Sequence, residues 1–273
     1  MNNIEVKDLH FYYDKEEEIL KGINLIFDKE AAAIIGQNGA GKTTFVKLLK
    51  GLLKPQKGDI IIEGVNTKDI STAKLSKYIG MVFQNPDDQI FKNKVIDEVM
   101  FGPLNIGQSS REAEENSKCA LEEVGILDKI NKNPYDLSLA ERKLVSIASV
   151  IAMNTKIIIF DEPTIAQDYE GKKKISNIIK RLKEKGKLVI TIIHDMDFAA
   201  ENFERIIVFS EGKVLLDGAA REVFSNKEVL EKAYLELPHV TELCNRLGFN
   251  ETLLSVEEFL EKGDMMINGK NNE

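Results

Sequence analysis

Cysteine is scarce in this chain: Cys119 and Cys244 are the only two, far apart and outside any CxxC or metal-ligand spacing. A disulfide framework is therefore not expected, the two thiols read as ordinary buried or half-buried side chains, and a reducing compartment fits. Basic residues are outnumbered, 37 Lys and Arg against 45 Asp and Glu, for a net charge of −8. That balance argues against a general nucleic-acid-binding surface and leaves room only for a local basic groove, so no nucleic-acid partner is expected. No apolar run approaches the roughly 20 residues needed to cross a bilayer. The start, Met1-Asn2-Asn3-Ile4-Glu5, has neither the basic stretch nor the apolar core of a secretory signal. If the protein works at a membrane, another subunit is expected to do the crossing.

The 273 residues exceed the usual size of one domain, so one large or two unequal domains are expected. With 43% hydrophobic and 30% charged residues the composition is that of an ordinary globular protein, and lack of order is expected only from Asn268 to Glu273. No internal repeat or low-complexity stretch stands out.

The most informative segment is Gly36-Gln37-Asn38-Gly39-Ala40-Gly41-Lys42-Thr43-Thr44, a full G-x-x-x-x-G-K-[ST] phosphate loop. The apolar run Ala31 to Ile35 reads as a buried strand before it, and Phe45 to Leu53 as an amphipathic helix after it. The glycine-rich turn is thus delivered to a helix N-terminus, where unpaired backbone N–H groups and the helix dipole favour phosphate. Gly36, Gly39 and Gly41 allow close approach of the backbone to a pyrophosphate. Lys42 supplies a point charge for the β/γ-phosphates, and the Thr43 hydroxyl is suited to Mg²⁺.

Around this loop the coarse pattern is α/β. Ile4 to Phe27 alternates short apolar runs with polar turns, as an antiparallel sheet does, and Ile60-Ile61-Ile62 continues it. Tyr78 to Phe83 reads as a strand ending at Gln84. Residues 97 to 153 turn helical, with breaks expected at Pro103 and Pro134. Three apolar runs follow, Ile157 to Phe160, Leu188 to Ile193 and Ile206 to Phe209, separated by helical segments such as Lys172 to Lys185. They predict a mostly parallel sheet covered on both faces. After Gly218 the spacing in Val223 to Leu237, Val240 to Leu247 and Val256 to Leu260 predicts a small helical appendage.

Ile157-Ile158-Ile159-Phe160-Asp161-Glu162 is an apolar strand ending in two carboxylates, at the sheet edge where open α/β folds bind ligands. Asp161 is suited to hold Mg²⁺ through water, and Glu162 to orient or deprotonate an attacking water. His194 closes the run Leu188 to Ile193 in the same way and is placed to contact a γ-phosphate. His10 and His239 read as structural.

With these residues assembled, the chain resembles the ATPase subunit of an ABC transporter over roughly residues 1 to 220. In that resemblance Gly36 to Thr43 is the Walker A run, Asp161 and Glu162 end the Walker B strand, Gln84 is the Q-loop glutamine that reaches Mg²⁺ or the attacking water, and His194 is the switch histidine. It also implies that Tyr13, with Tyr12 a weaker candidate, stacks on adenine, and that Asp168 in Ala166-Gln167-Asp168 is the D-loop aspartate. The fold implied is a P-loop cassette at 1–220, with an antiparallel β subdomain, a helical subdomain at about 95–153 and a helical domain at 221–273. More narrowly, Phe83-Gln84-Asn85-Pro86-Asp87-Asp88-Gln89-Ile90-Phe91 and the tail after Gly218 are similar to energy-coupling factor ATPases, importers of vitamins and of cobalt or nickel. That resemblance implies ATP and Mg²⁺ as ligands, a second ATPase subunit, a transmembrane coupling component, a substrate-binding membrane component, and a place on the cytoplasmic face of the membrane.

The family's LSGGQ signature reads Leu137-Ser138-Leu139-Ala140-Glu141 here. Leu139 and Ala140 put Cβ atoms where glycines allow close approach to the partner's γ-phosphate, and Glu141 adds a like charge that costs roughly 1 to 4 kcal/mol at about 4 Å. Ser138-x-x-Glu141 is at the same time a capping box. Ser138 is kept as a phosphate-contact candidate, and Gln167 departs from the usual D-loop leucine. Intact Walker residues beside a degenerate signature predict a heterodimer with a non-identical partner. The alternatives are an ATPase subunit of another ABC transporter, and a soluble or regulatory ABC ATPase.

Overall fold

Strands that are apolar at every position are stable only when both of their faces are covered. The computed structural model describes residues 3–14, 17–249 and 251–269, and it places those strands in the middle of the molecule. The chain opens with β1 (Ile4–Tyr12), β2 (Glu18–Phe27), β3 (Ala32–Gly36) and α1 (Lys42–Leu49), then β4 (Lys57–Ile62), β5 (Val65–Asn66), the single turn α2 (Thr72–Leu75) and β6 (Ile79–Val82). Three helices, α3 (Val95–Asn105), α4 (Ser110–Glu123) and α5 (Leu139–Ala152), intervene before β7 (Ile157–Asp161). Next come α6 (Tyr169–Glu184), β8 (Leu188–Ile192), α7 (Met196–Asn202), β9 (Arg205–Ser210) and β10 (Lys213–Ala219). The last elements are α8 (Ala220–Ser225), α9 (Lys227–Lys232), α10 (His239–Leu247) and α11 (Val256–Gly269).

An antiparallel sheet of order β2-β1-β4-β5 stacks against a six-stranded sheet of order β10-β9-β3-β8-β7-β6. In the larger sheet only the edge strand β10 runs antiparallel. This is the α/β cassette with an antiparallel subdomain that the sequence predicts. Alternate side chains of β3 and β7 feed two cores: Ala33, Ile35, Ile158 and Phe160 face the helices, while Ala32, Ile34, Ile157 and Ile159 face α1 and the antiparallel sheet. Ile34 pairs with Ile192 on one side and Ile207 on the other, so the C-terminal ends of the parallel strands align along one edge.

Several boundaries differ from expectation. Helix α1 begins at Lys42, three residues before Phe45, because the first helical bond, Phe45 N–H to Gly41 C=O at 2.8 Å, closes directly on the glycine turn. Pro103 lies inside α3 instead of breaking it; the helix runs only to Asn105, so the lost N–H costs one bond near its end. Pro134 does interrupt the helices, starting a 3₁₀ turn, Pro134–Asp136. The helical stretch expected from Val223 to Leu237 divides at Asn226, whose side chain accepts from Val229 N–H and restarts the chain as α9. Val223, Phe224, Leu230 and Ala233 enter the same core as β3 and β7. Helix α11 includes Asn268 and Gly269, where order was expected to end, and 270–273 lie outside the described residues.

Candidate active site

The phosphate loop hangs between β3 and α1 and is braced by the antiparallel sheet. A Cβ at Gly36 would lie 2.3 Å from the Phe209 carbonyl oxygen, and one at Gly41 (φ +95°) would lie 2.7 Å from the Leu20 side chain. Glycine is needed at these two positions by packing against the protein itself. Gly39 (φ +82°) has open space around it and forms the exposed rim with Gln37 and Asn38. The Ala40 carbonyl accepts from Gly212 N–H at 3.3 Å, which ties the loop to the β9–β10 turn. Beyond Gly41, the N–H groups of Lys42, Thr43 and Thr44 open α1 and have no partner one turn back.

Lys42 is 5% exposed and its Nζ donates to the carbonyls of Gly36 at 2.6 Å and Gln37 at 2.8 Å. Burial lowers its pKa to about 8, against the opposing pull of Glu162 and Asp161. A buried ammonium surrounded by carbonyl oxygens is a charge that a polyphosphate can take up.

At the end of β7 the two carboxylates divide. Asp161 is 2% exposed, and its Oδ1 accepts from the Thr43 hydroxyl at 3.4 Å. Burial, and next the charge of Glu162, raise its pKa to about 6. A hydroxyl and an electron-rich carboxylate side by side suit a hard cation with oxygen ligands, so the residues present fit Mg²⁺. Glu162 turns the other way: Oε1 lies 2.7 Å from His194 Nε2, and Oε2 accepts from Gln84 Nε2 at 2.9 Å. Burial raises its pKa, but the hydrogen bond and charge of His194, then Lys42 and Gln84, outweigh that and leave it below the usual value. Its backbone sits at φ +48°, in the left-handed region that costs a non-glycine residue about 1 to 3 kcal/mol. The turn after His194 is held by Asp195, which caps α7 through Phe198 N–H at 3.0 Å and pairs with Lys172 at 2.6 Å.

Tyr13 stands over the loop, with its hydroxyl 3.3 Å from Thr44 Oγ1 and its ring edge-on to Phe11 at 4.9 Å; at 58% exposure it leaves a face free. Gly36, Asn38, Gly39, Ala40, Gly41, Lys42, Thr43, Thr44, Tyr13, Gln84, Asp161, Glu162 and His194 thus gather at one sheet edge. Ser138 and Asp168 are engaged elsewhere, and no hydrogen bond links either to the phosphate loop among the described residues. Asp168 caps α6, accepting from Gly171 N–H at 2.8 Å. Ser138 forms the capping box of α5: Glu141 Oε2 accepts from both its N–H and its hydroxyl at 2.9 Å, and its Oγ accepts from Glu141 N–H at 3.2 Å.

Two polar residues of this neighbourhood are missed by sequence reasoning. Lys143, 2% exposed on α5, donates to the carbonyls of Phe83, Gln84 and Asp161. Gln89 accepts from Phe83 N–H and donates to Ser146 C=O and Ser149 Oγ. The available signal was Lys143 itself, a cation opening the otherwise uncharged run that continues to Met153.

A model of the ABC transporter family matches residues 20–165. The energy-coupling factor transporter ATP-binding protein EcfA of Methanocaldococcus jannaschii is 40% identical over 253 residues, covering 92% of this chain and 91% of that protein. EcfA2 of Caldanaerobacter subterraneus is also 40% identical over 253 residues, at 89% and 88% coverage. Among solved structures, cbiO1 from Clostridium perfringens, part of the ABC transporter complex cbiONQ, matches with a TM-score of 0.76 at 34% identity over 89% of this chain and 99% of that one. A dimeric ATP-binding cassette in a post-hydrolysis state, bound to ADP and phosphate, matches with a TM-score of 0.73 at 30% identity over 80% and 99%. The chain therefore belongs to the ABC transporter family as an ATP-hydrolysing, ATP-binding subunit related to the energy-coupling factor ATPases.

Proposed function

We propose that this chain is one ATPase subunit of an energy-coupling-factor-type importer for a vitamin or a transition-metal ion, working at the cytoplasmic face of the membrane. Residues 1–220 form the ATPase domain, and 221–273 an appendage whose first helices are fastened to its core. The observation that carries the reading is Glu162, suspended between His194 and Gln84 beside the phosphate loop. In it, the N–H groups opening α1 and Lys42 bind the phosphates, Tyr13 stacks on adenine, and Thr43 and Asp161, with Gln84 nearby, would hold Mg²⁺. Held there, Mg²⁺ would supply neutralisation of the negative charge on the bound phosphates. Glu162 accepts a proton from the attacking water as the new P–O bond forms and the bond to the ADP oxygen breaks; His194 orients the carboxylate and faces the γ-phosphate.

The partners are a second, non-identical ATPase subunit with an intact signature, a transmembrane coupling component and a substrate-binding membrane component. Support for asymmetry is local: Ser138 spends its hydroxyl and N–H on Glu141 of its own chain. In this reading Ser138 and Asp168 face the partner's nucleotide across the dimer. Support for membrane docking is a groove of about 340 Å³ beside the Gln84–Phe91 segment, lined by Gln89, Phe91, Phe101, Gly102 and Met153, with Phe91 and Phe101 exposed. EcfA is named as the ATP-binding protein of an energy-coupling factor transporter, and cbiO1 as part of the ABC transporter complex cbiONQ. Purifying the tagged chain from membranes tests the reading: a second ATPase and membrane subunits should co-purify, and recovery of a homodimer with full ATPase activity would overturn it.

A further inference from the structure

Among the described residues, the one buried cation beside the active-site edge not absorbed by this mechanism is Lys143. Its helix, α5, belongs to the segment inserted between β6 and β7, yet its Nζ crosses to the core sheet and donates to Phe83 C=O and Gln84 C=O, both at 2.8 Å, and to Asp161 C=O at 3.3 Å. It therefore bridges three bodies: the helix that begins at Ser138, the end of β6 where Gln84 leaves the sheet, and the end of β7 where Asp161 and Glu162 stand. The seam it crosses is otherwise loosely filled, because a cavity of about 250 Å³ separates Gln84, Asn85 and Pro86 from Leu139 and Ile165. Three carbonyl oxygens point at one ammonium, and without it they would face one another and this gap unsatisfied. On the assignment of Glu162 and Gln84 proposed above, we infer that Lys143 is a positioning residue for ATP hydrolysis, holding the Gln84 backbone and the Asp161–Glu162 backbone in register so that the Gln84 amide meets the Glu162 carboxylate.

The inference separates positioning from binding, because among the described residues no hydrogen bond joins Lys143 to the phosphate loop or to Tyr13. Lys143→Met keeps the stem and removes the ammonium. In the complex purified through a tag on this chain, kcat should fall about tenfold to a hundredfold, as expected for a displaced catalytic group, while ATP affinity stays within about threefold. In a Gln84→Ala background the same substitution should add little further loss, since both changes act through one contact. A folded Lys143→Met enzyme with kcat within about twofold of the parent, matching losses of kcat and ATP affinity, or losses that simply multiply with those of Gln84→Ala, would overturn the inference. Should the methionine variant not fold, Lys143→Gln, whose shorter amide cannot serve all three carbonyls, should show the same split at smaller amplitude, and unchanged kcat there overturns it equally. Failure of the underlying assignment looks different: Glu162→Gln would then turn over ATP at the parental rate.

Discussion

His194 and Glu162 meet at 2.7 Å across the ends of two adjacent parallel strands, and the Glu162 N–H donates to Ile192 C=O, so both the side chain and the backbone of the carboxylate are referenced to β8. Glu162→Gln should therefore keep its place and its nucleotide affinity while losing the proton acceptor, lowering turnover by roughly 10² to 10⁴. Lys42→Ala should do the opposite and weaken ATP binding, by removing the buried ammonium. Nucleotide titration and single-turnover hydrolysis of both variants in the complex check the pair of outcomes. Near-normal turnover by Glu162→Gln would remove the assignment of this carboxylate.

The capping box at Ser138 predicts where activity will be limited. Leu139→Gly, Ala140→Gly and Glu141→Gln together remove two Cβ branches and one negative charge from the approach of a phosphate to the start of α5. ATPase activity of the isolated chain should rise, because any dimer it forms uses this segment twice. In a heterodimer with an intact partner signature the change should be small. Equal, fast turnover of the unmodified chain alone and in its complex would end the asymmetric-site reading.

Asp87 and Asp88 project from the 3₁₀ turn of the Gln84–Phe91 segment, but they are not equivalent. Asp87 pairs with Arg142 at 2.8 Å, holding the segment to α5, whereas no ion pair involves Asp88 among the described residues. Asp88→Lys is the cleaner probe of docking: recovery of membrane subunits with the tagged chain should fall while ATP affinity stays within about threefold. Asp87→Lys should in addition loosen the segment, visible as faster amide exchange around Gln89. Unchanged yield and transport with Asp88→Lys would move the docking surface elsewhere.

Helix α10 is pinned to the first turn of α7 by His239, whose ring and backbone N–H both reach Asp197. The hydrogen bond that Asp197 accepts, then its charge, raise the His239 pKa above 6.5. A raised folded-state pKa means that the ionic part of this attachment is complete below 6.5 and fades as pH climbs through the shifted value. The backbone N–H to Asp197, at 2.7 Å, does not titrate and remains. Protection factors in α10, which divide out the base-catalysed rise of intrinsic amide exchange, should accordingly be lower at pH 8.5 than at pH 6, and His239→Gln should flatten the difference. Equal protection factors at the two pH values in the parent would show that the pair carries no weight.

Much of this site was legible because its motifs are local. Gly36 to Thr43 announce themselves by spacing, and Asp161, Glu162 and His194 by following apolar runs whose C-terminal ends a parallel sheet aligns. What escaped depends on partners without sequence identity. Lys143 answers to carbonyls at 83, 84 and 161, and any residue type offers a carbonyl. Asp168 and Asn226 are helix caps whose role is set by where the next helix starts, and Pro103 was read as a stop although a helix near its own end tolerates it. The antiparallel sheet was anticipated, but not that its Leu20 would be a reason why position 41 is glycine.

The left-handed backbone at Glu162 sets fold and chemistry against each other at one residue. Glycine there would relax a conformation that costs a glutamate about 1 to 3 kcal/mol. Selection for thermal stability alone would thus drift toward glycine or asparagine at 162 and arrive at a sturdier protein that binds nucleotide without consuming it. On the role proposed for Glu162, the glutamate serves turnover at a cost to the backbone, which makes residue 162 the first to inspect when sorting working ATPases from inert copies of this cassette.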